Sequence, residues 1–156
     1  EKVAINTAAT KNPDLIKQIS NRFGSQSVVV SIEAKKISSD KWEVYTENGR
    51  EKTGMDVLEW AQKVDKYNAG EILLTSIDNE GTQKGFDNKL IKTISDSVSI
   101  PVIASGGMGN IDHAKSVIDD ANADAIAIAH VLHYDKYSVG EIRNSLMEQD
   151  INVRKL

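Results

Sequence analysis

The run Pro101-Val102-Ile103-Ala104-Ser105-Gly106-Gly107-Met108-Gly109 sets an apolar strand directly before a Ser-Gly-Gly turn and a helical segment. Glycines lack a Cβ, so their N–H groups can approach a ligand closely, and the next helix start points its positive dipole end the same way. That chemistry suits an anion, above all a phosphate. Such turns also serve purely structural ends, so the weight lies in the other strand ends, which repeat the theme. In Val28-Val29-Val30-Ser31-Ile32-Glu33 one face (Val28, Val30, Ile32) is wholly apolar. The other (Val29, Ser31, Glu33) turns polar toward its C-terminal end and carries a carboxylate there, as an inner surface does where it opens on a site. The same parity puts Lys2 and Glu71 inward at the opposite, N-terminal end. A buried charge pair is costly unless satisfied, so it reads as a structural bridge or a functional pair.

Alternating elements position these groups. Strands are expected at Val3–Asn6, Ser27–Lys35, Glu71–Ser76, Pro101–Ser105 and Asp124–Ala129. Between them, Leu15, Ile16, Ile19 and Phe23 follow Asn12 and Pro13 at helical spacing, and Val57, Leu58, Ala61 and Val64 mark a helix over 56–67. Leu90, Ile91 and Ile94 mark the next helix. Ile111, Ala114, Val117 and Ile118 mark another, which also carries His113, and Ile142 and Leu146 mark a last one over 139–149. Strand starts about 25–30 residues apart indicate βα units, and near-continuous apolar strands indicate a parallel sheet covered by helices. One gap is longer. It holds Asn48-Gly49 between two strand-like runs, a hairpin inserted over about 41–53.

The 156 residues suffice for one domain with a real core, taken here as 1–156. A net charge of −4 gives no basic footprint for nucleic acid. There is no cysteine, which removes disulfides, thiolate nucleophiles and sulfur-ligated metals, and three histidines give a metal site little to build on. No apolar run approaches the roughly 20 residues needed to span a bilayer. The first residues already read as a strand, so no secretory leader is expected and a cytoplasmic location follows.

Several motifs then align in order along essentially the whole chain. Lys2-Val3-Ala4-Ile5-Asn6-Thr7-Ala8-Ala9, Phe23-Gly24-Ser25-Gln26-Ser27-Val28-Val29-Val30, Gly70-Glu71-Ile72-Leu73-Leu74-Thr75-Ser76-Ile77-Asp78 and Ala104-Ser105-Gly106-Gly107 resemble the cyclase subunit of imidazole glycerol phosphate synthase. The resemblance implies a TIM (βα)8-barrel α/β fold, of which this chain matches strands four to eight. Five strands cannot close an eight-stranded ring, so a partial barrel of about five βα units is expected. It would associate with itself or pair with a preceding portion, because open edges and an apolar inner face favour association.

The resemblance also implies the chemistry. Members of that family take ammonia from a glutaminase partner, cyclise a phosphoribulosyl-formimino-aminoimidazole carboxamide nucleotide, and release imidazole glycerol phosphate and an aminoimidazole carboxamide ribonucleotide; no cofactor is implied. Of the family's two catalytic aspartates, one belongs to the first strand, outside the matched strands, and the other falls at Glu33, one methylene longer, as the catalytic carboxylate. With one of the pair outside the match, no detectable cyclase turnover is expected of this chain on its own. The family's acidic loop appears as Ile77-Asp78-Asn79-Glu80-Gly81-Thr82, bringing Asp78, Glu80 and Gly81 to the substrate. Asn6 and Thr7 match residues at one substrate phosphate; Thr75, Ser105, Gly106 and Gly107 match the pocket and the other. His130 falls where the family usually has a serine. Lys2 and Glu71 match members of the charged gate through which ammonia enters. These departures, with Ala129-His130-Val131-Leu132-His133-Tyr134, also resemble a surface-polysaccharide branch that passes ammonia to sugars. The sister isomerase gives the Lys2/Glu71 pair no task. A half-barrel that binds phosphate without turnover is the alternative from another class.

Overall fold

A computed structural model describes residues 1–154. A seven-stranded sheet is built from β1 (Val3–Ile5), β2 (Val28–Ser38), β3 (Lys41–Thr46), β4 (Glu51–Asp56), β5 (Glu71–Ser76), β6 (Val102–Ser105) and β7 (Ala125–Ala127). The helices are α1 (Thr7–Lys11), α2 (Asp14–Phe23), α3 (Val57–Lys66), α4 (Asn88–Ser95), α5 (Ile111–Asp119), α6 (His130–His133) and α7 (Val139–Glu148). The strands β1, β2, β5, β6 and β7 lie side by side and parallel, as the βα spacing requires. Only the β3–β4 hairpin is antiparallel.

Strand parity decides what is covered. Val28, Val30, Ile32 and Ala34 of β2, Ile72 and Leu74 of β5, and Val102 and Ala104 of β6 are fully buried on one face. They pack under Ala61 and Val64 of α3, Leu90, Ile91 and Ile94 of α4, and Ala114 and Val117 of α5 in one core. The opposite face is less covered: Leu73 and Ile103 are half-buried and Ala4 is exposed. This is the less covered face of the sheet, polar at its upper rim.

The edge of β2 is shared. Val28–Val30 pair with β1, while Glu33–Ser38 pair with β3. Because β5 occupies the other edge over Val29–Ala34, the hairpin continues the edge on which β1 stops. The hairpin is longer than the 41–53 expected from sequence. A register shift between Glu43 and Tyr45, with Gly54 at φ 74° and its N–H on Glu43 Oε1 at 2.7 Å, adds residues to β4 and carries it to Asp56. Asp56 then caps α3, accepting from Leu58 N–H at 2.8 Å and Glu59 N–H at 3.1 Å.

Other boundaries move for local reasons. Asn48-Gly49 does not form a two-residue turn; residues 47–50 connect the strands, with Glu47, Asn48 and Gly49 all at positive φ. The strand expected over 124–129 shrinks to Ala125–Ala127, because α6 begins at His130. The helix expected to be capped by Asn12 begins at Asp14 with Pro13 in the cap position, and Asn12 instead closes α1, an element without periodic apolar residues to announce it. Ser138 and Glu141 open α7 with a capping box whose backbone and hydroxyl donors hold the Glu141 carboxyl below the ordinary carboxylate range. Among the described residues, no helix is long and apolar enough to cross a membrane, and no group of three or more His, Cys, Asp or Glu could hold a metal ion.

Candidate functional site

One row of paired residues crosses the sheet at its upper rim. Tyr45 pairs with Glu33, Glu33 with Thr75, Thr75 with Ser105, and Ser105 with Ala127. Residues in register share a face, so Glu33, Thr75 and Ser105 stand together on the less covered face. Lys2 and Glu71 form an ion pair at the other end of the same strands.

To one side of this row lies a cavity of about 150 Å³ lined by Glu80, Gly81, Ser105, Gly106, Gly107 and His130, among others. Gly106 and Gly107 are buried, at φ 95° and 104°. Their lack of a side chain is demanded first by the neighbouring loop: a Cβ on Gly107 would lie 2.1 Å from the Gly85 carbonyl oxygen, and one on Gly106 would lie 2.9 Å from that of Ser76. Gly85 N–H donates to Gly107 C=O at 2.8 Å, and Asn79 Nδ2 donates to Gly85 C=O at 2.8 Å, so the two loops are stitched together. The turn so fixed lines the cavity with its backbone. His130 stacks on Tyr134 with ring centroids 4.5 Å apart. His113 is outside this group; its Nδ1 accepts from Gly109 N–H at 3.1 Å and steadies the end of the glycine turn.

On the other side, Asn6, Thr7 and Glu33 are engaged with the hairpin tip. Glu33 Oε2 accepts from Gly49 N–H at 2.6 Å and from Asn6 Nδ2 at 3.1 Å. Asn6 Nδ2 also reaches the Tyr45 carbonyl at 3.3 Å, and Thr7 Oγ1 accepts from Glu47 N–H at 3.2 Å. Asn6 Oδ1 is buried with no partner among the described residues, an acceptor that a ligand's hydroxyl or amine could satisfy. Asp78 is not at the cavity; its Oδ2 accepts from Lys36 N–H at 2.8 Å and ties the β5–α4 loop to the end of β2.

The residues singled out from sequence therefore fall into three groups: Asn6, Thr7 and Glu33 under the hairpin tip; Glu80, Gly81, Ser105, Gly106, Gly107 and His130 around the cavity, with Thr75 between; and Lys2 with Glu71 at the far end. Sequence reasoning missed Gly49 and Glu47, whose N–H groups contact Glu33 and Thr7. The signal was present in the Asn-Gly dipeptide, but it specifies a turn and not where the turn lands. The profile of a family described as "Histidine biosynthesis protein" matches residues 1–138 of the chain.

Proposed function

The chain belongs to the histidine biosynthesis protein family, a TIM-barrel family of isomerases and cyclases, and on that premise we propose that it carries the cyclase half of an imidazole glycerol phosphate synthase. In this reading the phosphoribulosyl nucleotide lies along the rim row, one phosphate at Ser105, Gly106 and Gly107 and the other near Asn6 and Thr7. Glu33 moves the proton during ring closure. Glu80 and Gly81 border the pocket, and Asp78 holds their loop in place. A glutaminase partner delivers ammonia at the Lys2–Glu71 end. The observation that supports this reading most is the division of labour along the same strands: carboxylate, hydroxyls and glycine turn at the rim, and an ion pair at the opposite end.

Amide NMR tests it. The ribulosyl nucleotide is expected to shift Asn6, Gly106 and Gly107 together, and its ribosyl precursor to shift them less. Equal responses to both, or shifts confined to amides remote from the rim, would point to the isomerase or to no such activity. His130 supports a second reading, the surface-polysaccharide branch, under which a sugar phosphate acts on Gly106 and Gly107 while Asn6 stays silent.

The same proposal extends to assembly. Among the described residues β1 and β7 each pair on one edge only, and Val3 and Phe23 are 43% and 59% exposed beside β1. A groove of about 390 Å³ lined by Ile126, Ile128, Ile142 and Leu146 flanks β7. The 156-residue polypeptide is expected to scatter light as a species larger than its 17.1 kDa mass. A soluble monomer at high concentration would show that these edges are self-sufficient.

A further inference from the structure

We propose that His130 is the charge switch of the Gly106–Gly107 cavity: an anion is held there when the imidazole is protonated and released as it loses its proton. The inference rests on the phosphate reading of this cavity given above.

Apart from His130, the cavity wall offers backbone, the Ser105 hydroxyl, apolar side chains and one carboxylate, Glu80; among the described residues no lysine or arginine lines it. Glu80 Oε2 lies 3.2 Å from the point a Cβ on Gly106 would occupy, so the negative charge stands against the turn itself. A phosphate placed on the Gly106 and Gly107 backbone would therefore meet a like charge, and backbone dipoles alone would have to oppose it. Among the described residues His130 is the one lining group able to become a cation. A serine at this position would donate a hydrogen bond at every pH; an imidazole donates with charge only when protonated.

Glu80, from the β5–α4 loop, is the one carboxylate facing the cavity. The turn after β6 contributes Ser105, Gly106, Gly107 and Met108, none of which carries charge. On its own helix, His130 stacks on Tyr134 at 4.5 Å with a 43° tilt, and His133 meets the far side of Tyr134 edge-on at 5.0 Å. Lys136 is bonded to Gln83 Oε1 and does not line the cavity. Glu80 and His130 are thus the two ionisable side chains that line the cavity among the described residues.

Sulfate is the probe, because it remains a dianion throughout this range whereas phosphate itself titrates within it. The full chain is titrated with sulfate at pH 5.5, 6.5 and 8 while the Gly106 and Gly107 amides are followed. The expected result is a Kd that rises about tenfold or more from pH 5.5 to 8, as loss of one charge on a contacting group implies. His130→Ser, which keeps a donor without the charge, is expected to flatten this to within about twofold. His133→Asn, checked by circular dichroism like the first variant, is expected to keep the full slope. A slope that survives in His130→Ser, or is absent from the parent protein, overturns the switch and leaves the phosphate site standing. Gly106 and Gly107 amides that ignore sulfate at every pH overturn both.

Discussion

In a barrel completed by the preceding strands, replacing Glu33 by glutamine is expected to lower ammonia-dependent formation of the imidazole product by about 10²–10⁴-fold, the range a positioned proton-transfer group supplies. The substitution is chosen because it separates two roles. Glu33 Oε2 accepts from Gly49 N–H at 2.6 Å and from Asn6 Nδ2 at 3.1 Å. A glutamine amide oxygen can accept both, so the hairpin tip stays fastened and the proton-transfer capacity is lost. Glu33→Ala removes both functions and leaves the Gly49 N–H unpaired, which costs about 1–3 kcal/mol where the group is buried. Turnover of the glutamine variant within threefold of the parent, with Glu33→Ala alone impaired, would make this carboxylate a fastening for the hairpin and nothing more.

The largest expected effect on stability lies at the root of the same hairpin. Trp42 is 3% exposed, joins the core across the sheet, and donates from Nε1 to Asp87 Oδ2 at 2.9 Å. Asp87 also caps α4 by accepting from Leu90 N–H at 3.0 Å. Trp42→Ala is expected to destabilise the protein by about 3–5 kcal/mol, the range for deleting a buried aromatic side chain. Trp42→Phe keeps most of the packing and loses the hydrogen bond, for about 1 kcal/mol. Denaturant midpoints at unchanged slope measure both. A loss below 1 kcal/mol for the alanine variant would mean that the hairpin unfolds apart from the rest of the sheet.

These two residues also mark where sequence reading succeeded and where it stopped. The alternation in Val28–Glu33 identified the buried face and the rim carboxylate, because a strand's side chains must alternate whatever its neighbours are. The order of the parallel strands followed from βα spacing for a similarly general reason. The pairing of Lys2 with Glu71 was legible from parity at the other end, but not its setting: Lys2 is exposed rather than buried inward. What the sequence could not carry was anything set by contacts between distant segments. Gly106 and Gly107 look like a ligand cradle in isolation, yet their backbone is shaped as much by the carbonyls of Ser76 and Gly85. Asp78 matches a substrate-binding pattern, yet its carboxylate is occupied by Lys36 N–H. Trp42 lies in the inserted hairpin, and its partner is a helix cap 45 positions away.

The shared edge of β2 makes the hairpin a steric stop for a segment far from it in sequence. The first strand, whose Ile5 pairs with Val30, cannot reach the slot beside Glu33, three positions or about 10 Å further on, because Tyr45 fills it. Asn6 is thereby turned out of the sheet at the point where its amide meets the Tyr45 carbonyl. The length and register of one loop thus act as a ruler for where another loop begins. Sliding the hairpin by two residues would keep every side chain on its own face and still move the ruler's mark. Reach at this corner of the rim can therefore be retuned by insertions or deletions that touch none of the groups performing the chemistry.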